Sequence, residues 1–265
     1  MRALLISGGF VDDEFTLNYI KQEIYDVVFA VDRGLGFFAR TGLRPDYIVG
    51  DFDSVEESVL EEYWPEDEPK EEHLNHKESA PEEVCQEPPE DEPKENWLNH
   101  KGKAPKVVRL NPEKDDTDTG HAIQMALDMG CDSIHILGAT GTRLDHVLGN
   151  LQLLGLALQR QVECFMVDPW NRIRLIDRET VEPGGLILRR SEQFGKYVSL
   201  IPYTPKVTGL TLKGFKYPLE RHTMGSFYLA DAAPISGVSN EITEDEARIT
   251  LEDGILVLVE SRDEK

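Results

Sequence analysis

The chain has 265 residues, 40% of them hydrophobic, enough to bury a full core in one large domain or two modest ones. Its formal net charge of −22, from 50 acidic against 28 basic side chains, argues against a nucleic-acid surface. No apolar run approaches the roughly 18–20 residues of a membrane span, and the segment Met1–Gly9 is too short for a signal-peptide core. Cys85, Cys131 and Cys164 are widely spaced and odd in number, which fits a reducing cytoplasm better than a disulfide framework or a zinc site.

In chain order, a strand over Ala3–Ile6 runs into the glycine turn Gly8-Gly9, and a helical pattern follows over Glu14–Tyr25. A second strand, Val27–Val31, ends at Asp32, and a short helix covers Gly36–Arg40. The run Tyr47–Val49 then leads into Gly50 and two carboxylates, Asp51 and Asp53, spaced i, i+2. On a buried strand both carboxylates leave its carboxyl end together, around a glycine that lets backbone approach a ligand.

The next segment changes texture. Residues 56–106 hold 17 Asp/Glu against 6 Lys and no Arg, half of the total charge. They contain a tandem repeat of 24-residue period: Pro65–Lys77 returns as Pro89–Lys101, and Ala80-Pro81 as Ala104-Pro105. Two copies with few apolar positions neither build a solenoid nor offset ordering entropy. Residues 62–106 therefore read as an acidic, largely disordered or loosely helical insertion, with His73, His76 and His100 as part of a solvated low-complexity stretch.

Alternation resumes beyond it. A strand at Val107–Leu110 precedes Lys114-Asp115-Asp116-Thr117-Asp118, where a helix over Asp118–Met129 begins. A strand at Ser133–Leu137 precedes Gly138-Ala-Thr-Gly-Thr-Arg143-Leu-Asp145-His146. The helix Leu144–Gln159 then sets Leu144, Val147, Leu148, Leu151, Leu154 and Leu158 at helical spacing, and a strand covers Val162–Val167. Strands alternating with helices predict an α/β fold, a parallel sheet covered on both faces, with ligands beyond the carboxyl ends of its strands. After Asn171 helical periodicity gives way to short β-type runs at Arg172–Ile176, Leu186–Leu188, Tyr197–Ile201, Val207–Leu212 and Ile255–Val259. The expected organisation is an α/β domain over 1–171 and a smaller all-β sandwich over 172–265.

Any one of Asp32, Asp51, Asp53, Asp118 and Asp145 is explained by helix capping or turn formation. Five at successive strand ends or helix starts, with Lys114 and Arg143 interleaved, point to a magnesium–phosphate site instead. Magnesium takes hard oxygen ligands, one or two of them from protein, and Asp51, Asp53 and Asp118 have that chemistry. Arg143 and Lys114 carry charge for phosphate, and Gly8, Gly9, Gly34, Gly138 and Gly141 open backbone N–H groups to anions. There is no P-loop signature, no G-x-G-x-x-G after the first strand and no G-x-S-x-G elbow. His121 and His146 sit where capping or helix-face roles explain them, and neither is assigned a step.

On these motifs the chain resembles the thiamine pyrophosphokinase family nearly end to end outside the insertion. The carrying segments are Val31–Gly34, Pro45–Ser54, Lys114–Asp118, Gly138–His146 with Asn150, Val198–Pro202, Gly214–Tyr217 and Gly237–Asn240. The resemblance implies an ATP- and Mg2+-binding α/β domain, a C-terminal β-sandwich and a homodimer with active sites at the subunit interface. The implied reaction moves the pyrophosphoryl group of ATP to the thiamine hydroxyl, giving thiamine diphosphate and AMP. By motif, Asp51, Asp53 and Asp118 are implied metal and catalytic carboxylates, with Asp145 catalytic beside them. Asp32, Lys114, Thr117, Gly138 and Arg143 are implied ATP and phosphate contacts, and Ser239 and Asn240 the thiamine pair. Three positions depart from the usual pattern: Arg33 in place of a second glycine, Gly120 in place of an acidic residue, and Thr142 in place of a glycine before the arginine. The rivals are a pyrophosphokinase of related fold acting on a hydroxymethylpterin, and a non-catalytic nucleotide or thiamine binder.

Overall fold

The computed structural model describes residues 1–53, 55, 57–63, 104–111, 117–226 and 237–264. They fall into two compact units, Met1–Asp168 and Pro169–Lys265. The boundary expected at 171/172 falls just inside the second unit, at the start of its first strand, Asn171–Ile176.

The described residues of the first unit form six strands: β1 (Arg2–Ile6), β2 (Val27–Val31), β3 (Tyr47–Gly50), β4 (Lys106–Arg109), β5 (Ser133–Leu137) and β6 (Glu163–Val167). Their order is β6-β5-β1-β2-β3-β4, and each pairing is parallel. β2 and β5 are buried at each position, which is why they read as unbroken apolar runs. Among the described residues, five α-helices connect them: α1 (Asp13–Ile20), α2 (Leu35–Thr41), α3 (Glu57–Tyr63), α4 (Asp118–Asp128) and α5 (Leu144–Gln159). The chain adds β2, β3 and β4 on one side of β1 and then crosses to place β5 on the other. That reversal opens a crevice at the carboxyl end of β1, where open α/β sheets take ligands.

Three boundaries differ from the sequence expectation, each for a packing reason. α1 stops at Ile20 rather than Tyr25, because Tyr25 folds under the sheet (2% exposed) with its hydroxyl 2.9 Å from His135 Nδ1. α3 falls where no element was expected, at the border of the acidic run; Tyr63 is 3% exposed, and its hydroxyl donates to the Leu43 carbonyl at 3.0 Å. The insertion expected over 62–106 thus overlaps ordered chain at both ends, since β4 begins at Lys106. The repeat itself lies outside the described residues, as does the metal-binding alternative for His73, His76 and His100.

The described residues of the second unit form eight strands: β7 (Asn171–Ile176), β8 (Leu186–Arg189), β9 (Tyr197–Pro202), β10 (Lys206–Lys213), β11 (Leu219–Gly225), β12 (Asn240–Glu241), β13 (Glu246–Thr250) and β14 (Leu256–Ser261). A single helical turn, α6 (Arg178–Val181), is closed by an Asp177/Thr180 capping box. The strands form two antiparallel layers, β12-β9-β14-β7 and β11-β10-β13-β8. Side chains from both layers, including Leu200, Leu258, Leu210 and Ile249, make one core, the sandwich expected from the turn-separated β runs. Three strands were not foreseen: β11, β12 and β13. The alternation of Ala247, Ile249 and Leu251, all at most 4% exposed, is the signal that marks β13.

Candidate active site

Three chain ends of the first unit meet in the crevice. At the end of β2 the chain enters a single 3-10 turn, Asp32–Gly34, with Asp32 at φ 49°. A left-handed aspartate is uncommon, and its short polar side chain is what makes it tolerable. At the end of β3, a β-carbon on Gly50 would lie 3.3 Å from Asp32 Cα, so the glycine lets the β2 and β3 ends come together. Asp51 follows, then buried Phe52 at φ 64°, an expensive conformation for a bulky residue of the kind found at functional sites. This turn brings the Asp53 amide within 3.2 Å of Asp51 Oδ1 and leaves the Asp53 carboxylate exposed. From the third direction comes α4, whose first residue is Asp118; Thr117 Oγ1 caps the helix by accepting from Gly120 N at 3.1 Å. A buried 2.8 Å hydrogen bond between the Ser7 and Thr119 hydroxyls ties the end of β1 to that first turn.

The result is that Asp32, Asp51 and Asp118 each offer a carboxylate oxygen within 4.8 Å of the others. Burial, followed by the repulsion of the neighbouring carboxylates, pushes the Asp32 and Asp51 carboxyls above the ordinary aspartate range. Backbone N–H groups of Arg33 and Asp53 oppose the shift without reversing it. Asp32 Oδ1 is buried without a hydrogen-bond partner among the described residues. An orphaned carboxylate oxygen and two further hard oxygen donors within reach of it fit a divalent cation such as magnesium. The geometric trio differs from the expected set in one member. Asp32 joins Asp51 and Asp118, while Asp53 stands beside them and adds to their repulsion.

Across the crevice lies the loop after β5. Gly138 is at φ 69°, and a β-carbon there would overlap the Ser7 carbonyl. Gly9 N donates to Gly138 O and Phe10 N to Thr140 O, both at 2.7 Å, so the two glycine loops are fastened to each other. Asn150 Nδ2 donates to Ala139 O at 2.8 Å and anchors the loop to α5. The backbone N–H groups of Gly8 and Gly141 have no acceptor among the described residues. α5 itself starts without a side-chain cap, so its first turn presents N–H groups and the positive end of its dipole. Arg143 occupies the N-cap position. It is exposed, and its Nη2 lies 2.6 Å from Asp145 Oδ2, a pairing that holds the Asp145 carboxyl below its ordinary range. Asp145 is thus placed with Arg143 at the helix start, outside the carboxylate trio. Lys114 lies outside the described residues.

In the second unit, Ser239 is exposed and left-handed at φ 59°, with its amide donating to Ser199 Oγ at 3.0 Å. The Asn240 side chain is engaged on both ends: Oδ1 accepts from Tyr217 N at 3.0 Å, and Nδ2 donates to Tyr217 O at 2.9 Å. It therefore holds Tyr217, a residue 62% exposed. Tyr217 and Asn240 border an apolar cleft of about 370 Å³ that also takes in Leu200, Leu212, Phe215 and Val238. Sequence reasoning missed this cleft; Gly214–Tyr217 carried the family resemblance, but Tyr217 had no assigned role.

Fold and site define a class: a parallel α/β unit with a carboxylate trio facing glycine loops at its strand ends, followed by a β-sandwich. The thiamin pyrophosphokinase catalytic domain matches residues 90–166, and the thiamin pyrophosphokinase vitamin B1 binding domain matches 186–256. The thiamine pyrophosphokinase of Bacillus subtilis (strain 168) is 35% identical over 149 residues, 56% of this chain. The match spans 63% of the length of that curated relative. Among solved structures, thiamine pyrophosphokinase from Bacillus subtilis superposes with a TM-score of 0.72 at 25% identity, covering 100% of both chains. Thiamin pyrophosphokinase from Geobacillus thermodenitrificans gives 0.70 at 26% identity, covering 100% of this chain and 99% of that one. The chain belongs to the thiamin pyrophosphokinase family.

Proposed function

We propose that this chain is a magnesium-dependent thiamine pyrophosphokinase, acting in the cytoplasm as a homodimer. The observation that carries the reading is the convergence of Asp32, Asp51 and Asp118 at the carboxyl ends of β2 and β3 and the start of α4. Magnesium held by these carboxylates supplies charge neutralisation for a nucleotide polyphosphate.

The chain's own residues do the rest. The amides of Gly8 and Gly141, the uncapped start of α5 and Arg143 receive phosphate oxygens across the crevice. Gly138 and Thr117 hold the two walls: one keeps the β5 loop against β1, the other caps the helix that carries Asp118. Asp53, exposed beside the trio, accepts the proton of the thiamine hydroxyl. That oxygen bonds to the β-phosphorus, the bridge to the α-phosphate breaks, and its electron pair leaves with AMP. Transfer of this kind is mostly positioning and charge neutralisation, so a covalent nucleophile is not required. On the thiamine side, Ser239 offers a hydroxyl. Asn240 acts through Tyr217, which it holds at the border of the apolar cleft. Homodimer formation is supported by Leu144 and Leu148 on α5, 67% and 53% exposed, and by Phe10, 42% exposed beside the Gly141 loop.

The test is AMP release from ATP and Mg2+ in the presence of thiamine or of hydroxymethyl-dihydropterin. Thiamine-dependent AMP with one equivalent of thiamine diphosphate is expected. Turnover only with the pterin overturns the substrate, and nucleotide binding without AMP overturns the activity.

A further inference from the structure

We infer that Arg33 is a triphosphate-binding residue of this site, a second cation working from the opposite side of the glycine loops to Arg143. The inference rests on the proposed ATP reading and adds a residue to it. Arg33 lies in the 3-10 turn that follows β2, directly after Asp32. Two close approaches fix its stem at the crevice. A β-carbon on Gly34 would overlap the Ile6 carbonyl, so the turn is pressed against the end of β1. A β-carbon on Gly8 would stand 3.1 Å from Arg33 Cβ and 3.4 Å from Asp32 Oδ2. Arg33 therefore rises next to Gly8, with the Gly138–Gly141 loop on the far side of Gly9.

Its guanidinium is idle where idleness is unexpected. The other described arginines of this unit all have partners. Arg2 meets Glu23, Arg40 meets Asp13, Arg143 meets Asp145 and Arg160 meets Asp128, while Arg44 lies over the Tyr63 ring. Arg109 is engaged as well. Among the described residues of this unit, Arg33 is the one arginine with no ion pair, side-chain hydrogen bond or ring contact, although Asp32, Asp51, Asp53 and Asp118 gather at the same strand ends. Asp32 Oδ1 is buried without a hydrogen-bond partner among the described residues, and the cation is left facing solvent. A metal-bound triphosphate resolves both: the metal faces the carboxylates, and a phosphate oxygen faces the planar donor fork of the guanidinium.

The discriminating measurement is calorimetric binding of Mg-ATP and of AMP to the full chain and to R33A and R33K. R33A is expected to weaken Mg-ATP at least ten-fold while leaving AMP within two-fold, with R33K between R33A and the parent. ATP affinity unchanged in R33A, or equal losses for ATP and AMP, overturns the assignment, because a merely structural arginine would disturb both ligands alike. Failure of the parent to bind Mg-ATP overturns it too. Absence of thiamine-dependent AMP release in the parent defeats the activity reading instead, and the ATP-to-AMP ratio still decides Arg33.

Discussion

Asp51 illustrates how a single carboxylate can weaken the fold it serves. Its carboxyl is pushed up by burial and then by its neighbours, so folding disfavours its ionised form. The linkage sign follows. Below the ordinary aspartate value both folded and unfolded chains are protonated there, and stability is fully present. As pH rises through the elevated folded value, that stability is lost. D51N removes the charge without removing the shape. Metal-free D51N is therefore expected to melt higher than the parent at pH 7–8, with the gain vanishing near pH 3. Mg2+ should raise the parent's Tm and not that of D51N, and turnover should fall about a hundred- to a thousand-fold. Calorimetry with and without Mg2+ checks it; a D51N variant that melts lower than the metal-free parent at neutral pH would contradict the electrostatic account. Much of this site was legible because Asp32, Asp51 and Asp118 end or begin periodic segments. That Asp32, rather than Asp53, completes the trio was not. It depends on a left-handed Phe52 and on the closeness Gly50 allows, neither of which has a signature in composition or period.

Among the elements, α5 shows how far periodicity carries. Its span was readable to the residue, because apolar side chains recur at helical spacing from Leu144 to Leu158. Periodicity does not say what covers the stripe. Leu154, Ala157 and Leu158 are buried within the unit, whereas Leu144 and Leu148 are more than half exposed. The outer half of the stripe faces another surface in the proposed dimer. L148E should therefore leave the fold intact and convert a dimeric parent into a monomer, read by sedimentation velocity at matched concentration. A monomeric parent, or a dimeric L148E, removes α5 from the interface. Strands without strong alternation were harder to read. β11 mixes Glu220, Arg221 and His222 into its run, and only pairing with β10 makes it a strand.

At the scale of the whole molecule, the composition shift after Asn171 lies close to the division between Met1–Asp168 and Pro169–Lys265, and the sequence reads the acidic repeat, outside the described residues, as an interruption of the first unit. Where that interruption is tied down could not be read from sequence, because Tyr63 and Lys106 look like part of it. Tyr63 is fastened to Leu43, and Lys106 N donates to Asp46 O at 2.8 Å, starting the β4 ladder alongside β3. Departure and return are thus moored within four positions of one another on the same short stretch, 43–46. Whatever is strung between those moorings can be lengthened or shortened without tugging on the register of the sheet. Where the chain between two fixed points is a loop, doubling its length costs only about 0.6 kcal/mol. Excising residues 65–88, one full period, should shift unfolding free energy by less than about 1 kcal/mol and leave turnover within two-fold. A larger loss in either would mean that the repeat has been recruited into the working parts of the protein.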